Sequence, residues 1–97
     1  MKSIIQEDKT KCFICGKNAS ADYFGLDCHH VYFGANRKVS DKYGLTVYLC
    51  HNSCHLYGVH QNAKLNRALQ AKVQKIAMKH YGWDMETWRS LFGRNYL

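Results

Sequence analysis

The chain has no proline, and its 97 residues include only 7 Asp+Glu. It also lacks internal repeats and any stretch that reads as a linker. A chain of this length without such a break is expected to form a single domain over residues 1–97. Long apolar runs are missing too. The opening MKSIIQEDKT is too polar for a secretion signal, and no later stretch is long enough to cross a bilayer. A cytoplasmic protein with no membrane partner is the expectation. Five cysteines are an odd set, which argues against a complete disulfide framework and for reduced, metal-binding thiols.

With acid scarce, base dominates. Lys+Arg total 14, the net charge is +7 and the pI is near 9.3. A small basic surface attracts polyanions, of which nucleic acid is the commonest. So small a chain also buries a modest core, and a structural metal would supplement it.

Along the chain, residues 1–11 read as polar and loose apart from Ile4 and Ile5. The stretch Cys12-Phe13-Ile14-Cys15-Gly16-Lys17 reads as a metal-binding knuckle, with Gly16 supplying the backbone freedom its tight turn needs. Asn18 to Asp22 reads as a surface loop. The pattern from Leu26 to Phe33 predicts a strand, GANRKVSDKYG a long connecting loop, and Leu45 to Leu49 a second strand. Residues 51–60 read as a turn that leads into a helix. From Asn62 to about Tyr81, the apolar residues Leu65, Leu69, Val73, Ile76 and Ala77 fall on one helical stripe, with Gly82 as its C-cap. Asp84 caps a last helix carrying Met85, Trp88, Leu91 and Phe92, which Gly93 ends. Residues 62–92 thus form a helical C-terminal part.

Two constellations carry chemistry. Cys12, Cys15, Cys50 and Cys54 form two close pairs separated by enough chain for two strands and their connection, and four thiolates make a closed structural zinc site. The second constellation is histidine: the vicinal pair His29-His30, then His55 and His60. Neighbours in a strand point to opposite faces, so His29 and His30 cannot chelate one ion in regular geometry. One of them can bind metal while the other stays free as a base. His55 and His60 are five apart, and an irregular turn at Gly58 could bring both to one ion, although four would suit an α-helix better. His51 and His80 are weaker candidates. His80 stands near a helix C-terminus, where it favours the dipole. Tyr32, Phe33 and Tyr48 are expected in the core, and Cys28 as a buried thiol.

Cys12-x-x-Cys15, then Cys28-His29-His30-Val31, then Leu49-Cys50-His51-Asn52-Ser53-Cys54-His55 together resemble the HNH endonuclease superfamily. The stretch HHVYFGANRKVSDKYGLTVYLC and the ending FGRNYL are similar to small phage and prophage HNH proteins, and more distantly to the phage recombination-enhancement nuclease. The resemblance covers residues 12–97. It implies an α+β fold: a small ββα-metal, treble-clef-like finger with a structural Zn²⁺ and C-terminal helices. It further implies a phage-encoded nuclease in the bacterial cytoplasm, hydrolysing phosphodiester bonds of DNA. By the same resemblance, His30 is the general base, and His29, His55 and His60 ligate the catalytic ion. An all-imidazole set suits Zn²⁺, Ni²⁺, Mn²⁺ or Co²⁺ better than Mg²⁺. Arg37, Lys38 and Lys42 are candidate phosphate contacts.

The family's middle asparagine is absent: Gly44-Leu45 stands in its place, leaving Asn36 or Asn52 as candidates to orient the base. That absence, in turn, supports an alternative in which the chain is a catalytically silent, zinc-stabilised DNA-binding module of a recombination or packaging complex. A zinc-clamped protein-interaction domain is a third reading.

Overall fold

The computed structural model describes residues 3–6, 10–16, 18 and 25–97. It is an α+β arrangement built on a two-stranded antiparallel sheet. Strand β1 (Leu26–His30) pairs with β2 (Thr46–Cys50) in a register that sets Leu26 opposite Cys50, Cys28 opposite Tyr48 and His30 opposite Thr46. The period-2 alternation of β1 turns His29 inward, where it is only 4% exposed, while Cys28 and His30 share the other face. Val31 and Tyr32 are fully buried just past the strand.

The connection between the strands differs from the expected loop. After a single 3₁₀ turn at Gly34–Asn36 it forms helix α1 (Arg37–Lys42). Ser40 fixes this helix to the start of β2: its hydroxyl donates to the Leu45 carbonyl, and its own carbonyl accepts from Leu45 N–H at 2.9 Å. A helix of six residues turns too few side chains inward to show an apolar period, so the polar sequence concealed it.

Beyond β2 the backbone enters a π-helical segment, His51–Val59, then helix α2 (Ala63–Tyr81) and helix α3 (Met85–Phe92). Asn62 caps α2 by accepting from Leu65 N–H at 3.1 Å, and Asp84 caps α3 by accepting from Thr87 N–H at 2.8 Å. Gly82 (φ +69°) ends α2 in the left-handed conformation that glycine adopts without a Cβ penalty.

Leu69, Val73 and Ala77 of α2 are buried, with Leu65 and Ile76 at the margin. Two polar residues, Gln70 and Gln74, also face inward. Gln70 donates to the Val31 carbonyl at 3.3 Å. Gln74 holds the C-terminal tail through Asn95 (2.9 Å) and the Tyr96 N–H (2.8 Å). The aromatic centre is Trp88 stacked on Phe92 at 4.0 Å, with Tyr32 against both.

The expected loose N-terminus is tied down where it is described. Ser3 is buried and its hydroxyl donates to the Thr46 carbonyl, while Ile4 N–H reaches the Gly44 carbonyl at 3.0 Å. Asn18 forms an antiparallel bridge with Lys11; the rest of the expected loop, 19–22, lies outside the described residues. No described helix is long and apolar enough to cross a membrane.

Candidate metal centres

The first centre grows from the knuckle. Gly16 has φ +77°, and its N–H closes the turn onto the Cys12 carbonyl at 2.9 Å. Phe13 N–H donates to the Tyr48 carbonyl at 2.8 Å, which lays the knuckle along β2. Cys50 ends that strand, and Cys54 follows within the π-helical segment. All four sulfurs consequently lie within 4.8 Å of one another, with Cys15 Sγ and Cys50 Sγ 3.4 Å apart. A tetrahedral zinc ion with bonds of about 2.3 Å would hold its sulfurs about 3.8 Å apart, so these residues fit that ion.

All five thiols are free. Burial raises the Cys12 thiol, yet backbone N–H groups from Cys15, Cys50 and Ile14 outweigh it and bring it down to about 6. Cys50 goes the other way, up to about 12, because it is buried and borders thiols that ionise more readily. Cys54 is raised for the same reasons. One thiolate is easily carried; four in one place require a cation.

The second centre is the histidine cluster, where His29, His55 and His60 offer ring nitrogens within 4.8 Å of one another. Sequence spacing left His55 and His60 in doubt because five residues do not stack on an α-helix. The π-helical segment resolves this. Its hydrogen bonds run to the fifth residue, as in His60 N–H to the His55 carbonyl at 3.2 Å, and residues five apart are drawn together. Their Nε2 atoms stand 2.9 Å apart. His29 completes the set from β1, with ring centroids 5.1 Å from His55 and 5.5 Å from His60.

His29 Nε2 is buried without a hydrogen-bond partner among the described residues. A buried unpaired nitrogen is costly unless something outside the protein fills its lone pair. Burial, followed by repulsion from His55, His60 and His30, pulls the His29 pKa down to about 4. The ring is therefore neutral at ordinary pH, which is the form that binds metal.

A carboxylate that the sequence reading overlooked fixes His55. Asp27 Oδ2 accepts from His55 Nδ1 at 2.8 Å and from His51 Nδ1 at 2.6 Å. With Nδ1 protonated, His55 keeps the Nε2 lone pair for an ion, the usual carboxylate–histidine–metal arrangement. Partial burial raises Asp27, but the bonds and charge of the two histidines prevail and hold it below the usual carboxylate range. His51 thus supports the carboxylate.

His30 opens on the same groove as the cluster, since both line a hollow of about 320 Å³ at the end of β1. Its Nδ1 lies 2.7 Å from Asp41 Oδ1, and Arg37 Nη2 lies 3.3 Å from its Nε2. A guanidinium only donates, so Nε2 carries the lone pair and Nδ1 carries the proton. In that tautomer the proton is on the Asp41 side and the lone pair is on the Arg37 side of the ring.

The group that holds the His30 ring is therefore Asp41, which stands on helix α1 where the sequence predicts a loop. Asn36 does not serve: its amide donates to the Tyr96 hydroxyl at 3.0 Å. The Asn52 side chain lies outside the described set. Of the basic trio, Arg37 lines the groove, Lys38 is exposed on α1, and Lys42 lies over the Tyr43 ring at 5.5 Å. Cys28 is exposed and borders the groove, contrary to the expected buried thiol. Phe33 is 61% exposed and Tyr48 half-buried, so of the three expected core aromatics Tyr32 alone is fully enclosed. His80, at the end of α2, packs edge-on against Tyr81.

Among the described residues, a four-thiol cluster and a three-imidazole cluster with a carboxylate-held histidine beside it are what the chain offers a metal. No family model, no curated protein and no solved structure matches it.

Proposed function

We propose that the chain is a metal-dependent DNA endonuclease of the HNH type, with a ββα-metal finger clamped by a structural zinc ion. One observation carries this reading. Three imidazoles converge, one of them with a buried nitrogen that has no hydrogen-bond partner among the described residues, and a fourth, carboxylate-held imidazole faces the same groove.

His29, His55 and His60 would hold a divalent ion, whose chemistry is to neutralise charge on the scissile phosphate and on the leaving oxygen. His30 Nε2 takes the proton of the attacking water, and Asp41 stabilises the imidazolium that results. Arg37, now against Nε2, is placed to pass to a phosphate oxygen when substrate arrives. The surplus of base over acid draws DNA to the groove.

Conversion of supercoiled plasmid in Mn²⁺, Ni²⁺ or Mg²⁺ tests the reading. The wild type should nick DNA, and His30→Ala should slow it by roughly 10²–10⁴ while keeping its metal content. Equal inertness of both proteins in every metal would favour the silent DNA-binding module.

A further inference from the structure

Phe33 is an exposed aromatic on the wall of the groove that catalysis leaves unused. It directly follows the buried Val31-Tyr32 pair, and Gly34 (φ +67°) turns the backbone just after it. Three hollows of about 320, 290 and 400 Å³ all include Phe33 in their walls. The first contains His30, Arg37 and the imidazole cluster. The second passes His29 and the first turn of α2. The third is walled by Asn36, Arg67, Gln70, Arg94 and Tyr96. The hollows adjoin, the first two sharing His29 and His60 and the last two Ala63 and Asn66, and Phe33 is common to the imidazole end and to a second basic end.

The chemistry of that far end is specific. Among the described residues no acidic side chain lines it, and the Arg94 guanidinium lies 4.7 Å from the Tyr96 ring centre. The positive end of α2 borders it through Ala63 and Asn66, and no acidic residue in the first turn offsets that dipole. An anion is favoured there, a flat apolar face is favoured on Phe33, and Asn66 offers an amide between them. A nucleotide combines these three features in one ligand. Phe33 can stack only on a base whose face is open, which a paired base within a duplex does not present.

Resting on the nuclease reading, we infer that the groove seats an unpaired nucleotide of the DNA strand beside the scissile phosphate. Its base lies on Phe33 and its phosphate between Arg67 and Arg94. The enzyme therefore prefers single-stranded or frayed DNA.

The test is fluorescence anisotropy on the full zinc-containing chain, in a His30→Ala background so that the probe survives. The probes are a labelled single-stranded oligonucleotide and a blunt duplex of the same sequence. Phe33→Ala should weaken single-strand binding roughly tenfold, leave duplex binding nearly unchanged, and be rescued by Phe33→Trp. Arg67→Ala and Arg94→Ala should each lower the salt slope of single-strand binding by about 1. Phe33 is exposed, so unaltered melting temperatures will verify that the variants fold. Equal single-strand affinity of Phe33→Ala and its parent overturns the subsite alone. A parent that binds neither probe overturns the nuclease reading, and the subsite with it.

Discussion

His29 and His30 are adjacent in sequence and opposite in need. A strand satisfies both by turning one inward and the other outward. His29, buried and neutral, is held down to about 4 against an ordinary value of 6.5. Between those values the unfolded chain binds the extra proton and the folded chain does not, so stability rises with pH across that window. Acidification through it should lower the melting temperature, at about 1.4 kcal/mol per pH unit, with this contribution exhausted below about pH 4. A melting temperature that stays flat there would show that His29 is not buried as described. His30 depends on a different neighbour. Asp41→Asn replaces an acceptor with a group that can also donate to Nδ1, which removes the constraint on the tautomer. It should slow plasmid nicking by roughly 10²-fold without changing metal content. An unaltered rate would remove Asp41 from the machinery.

Among the elements, the two long helices were legible because each announces itself in several independent ways. Asn62 and Asp84 cap them, Gly82 and Gly93 end them, and Leu69, Val73 and Ala77 repeat at helical spacing between. Gln70 and Gln74 were not legible as interior residues, because their partners, Val31 and the C-terminal tail, are distant in sequence. Helix α1 left no period to read, and with it the placement of Asp41 was hidden. The π-helical segment left one trace, the spacing of five between His55 and His60, which is awkward for an α-helix and natural for hydrogen bonds to the fifth residue. The cap of α2 also supports the site, since its first turn borders the groove. Asn62→Ala should cost about 1 kcal/mol, seen as a fall in melting temperature of roughly 4–8 °C. An unchanged melting temperature would mean that the helix start is held by other contacts.

Across the whole molecule, the two clusters share a backbone. Cys50 closes β2, Cys54 and His55 are consecutive, and His60 follows one π turn later. Whatever pins the thiols therefore positions His55. The residue types of both clusters were readable from sequence because cysteine and histidine are uncommon and their spacing is informative. The carboxylates behind them were not. Asp27 and Asp41 look like ordinary surface acids until the fold brings His55 and His30 to them. Phe33 misled in the opposite direction: an aromatic at the end of the predicted strand reads as core, but the strand stops at His30 and Phe33, just before the turn at Gly34, is exposed.

The account rests on His29, His55 and His60 sharing one cation apart from the thiolate site. Anomalous diffraction from crystals of the zinc-containing protein soaked in Mn²⁺ or Ni²⁺ measures this directly. Two peaks per chain are predicted, one enclosed by the four sulfurs and one bonded to the three imidazoles beside a His30 ring that coordinates nothing. A peak at the sulfurs alone, with the three imidazoles pointing apart, would contradict it.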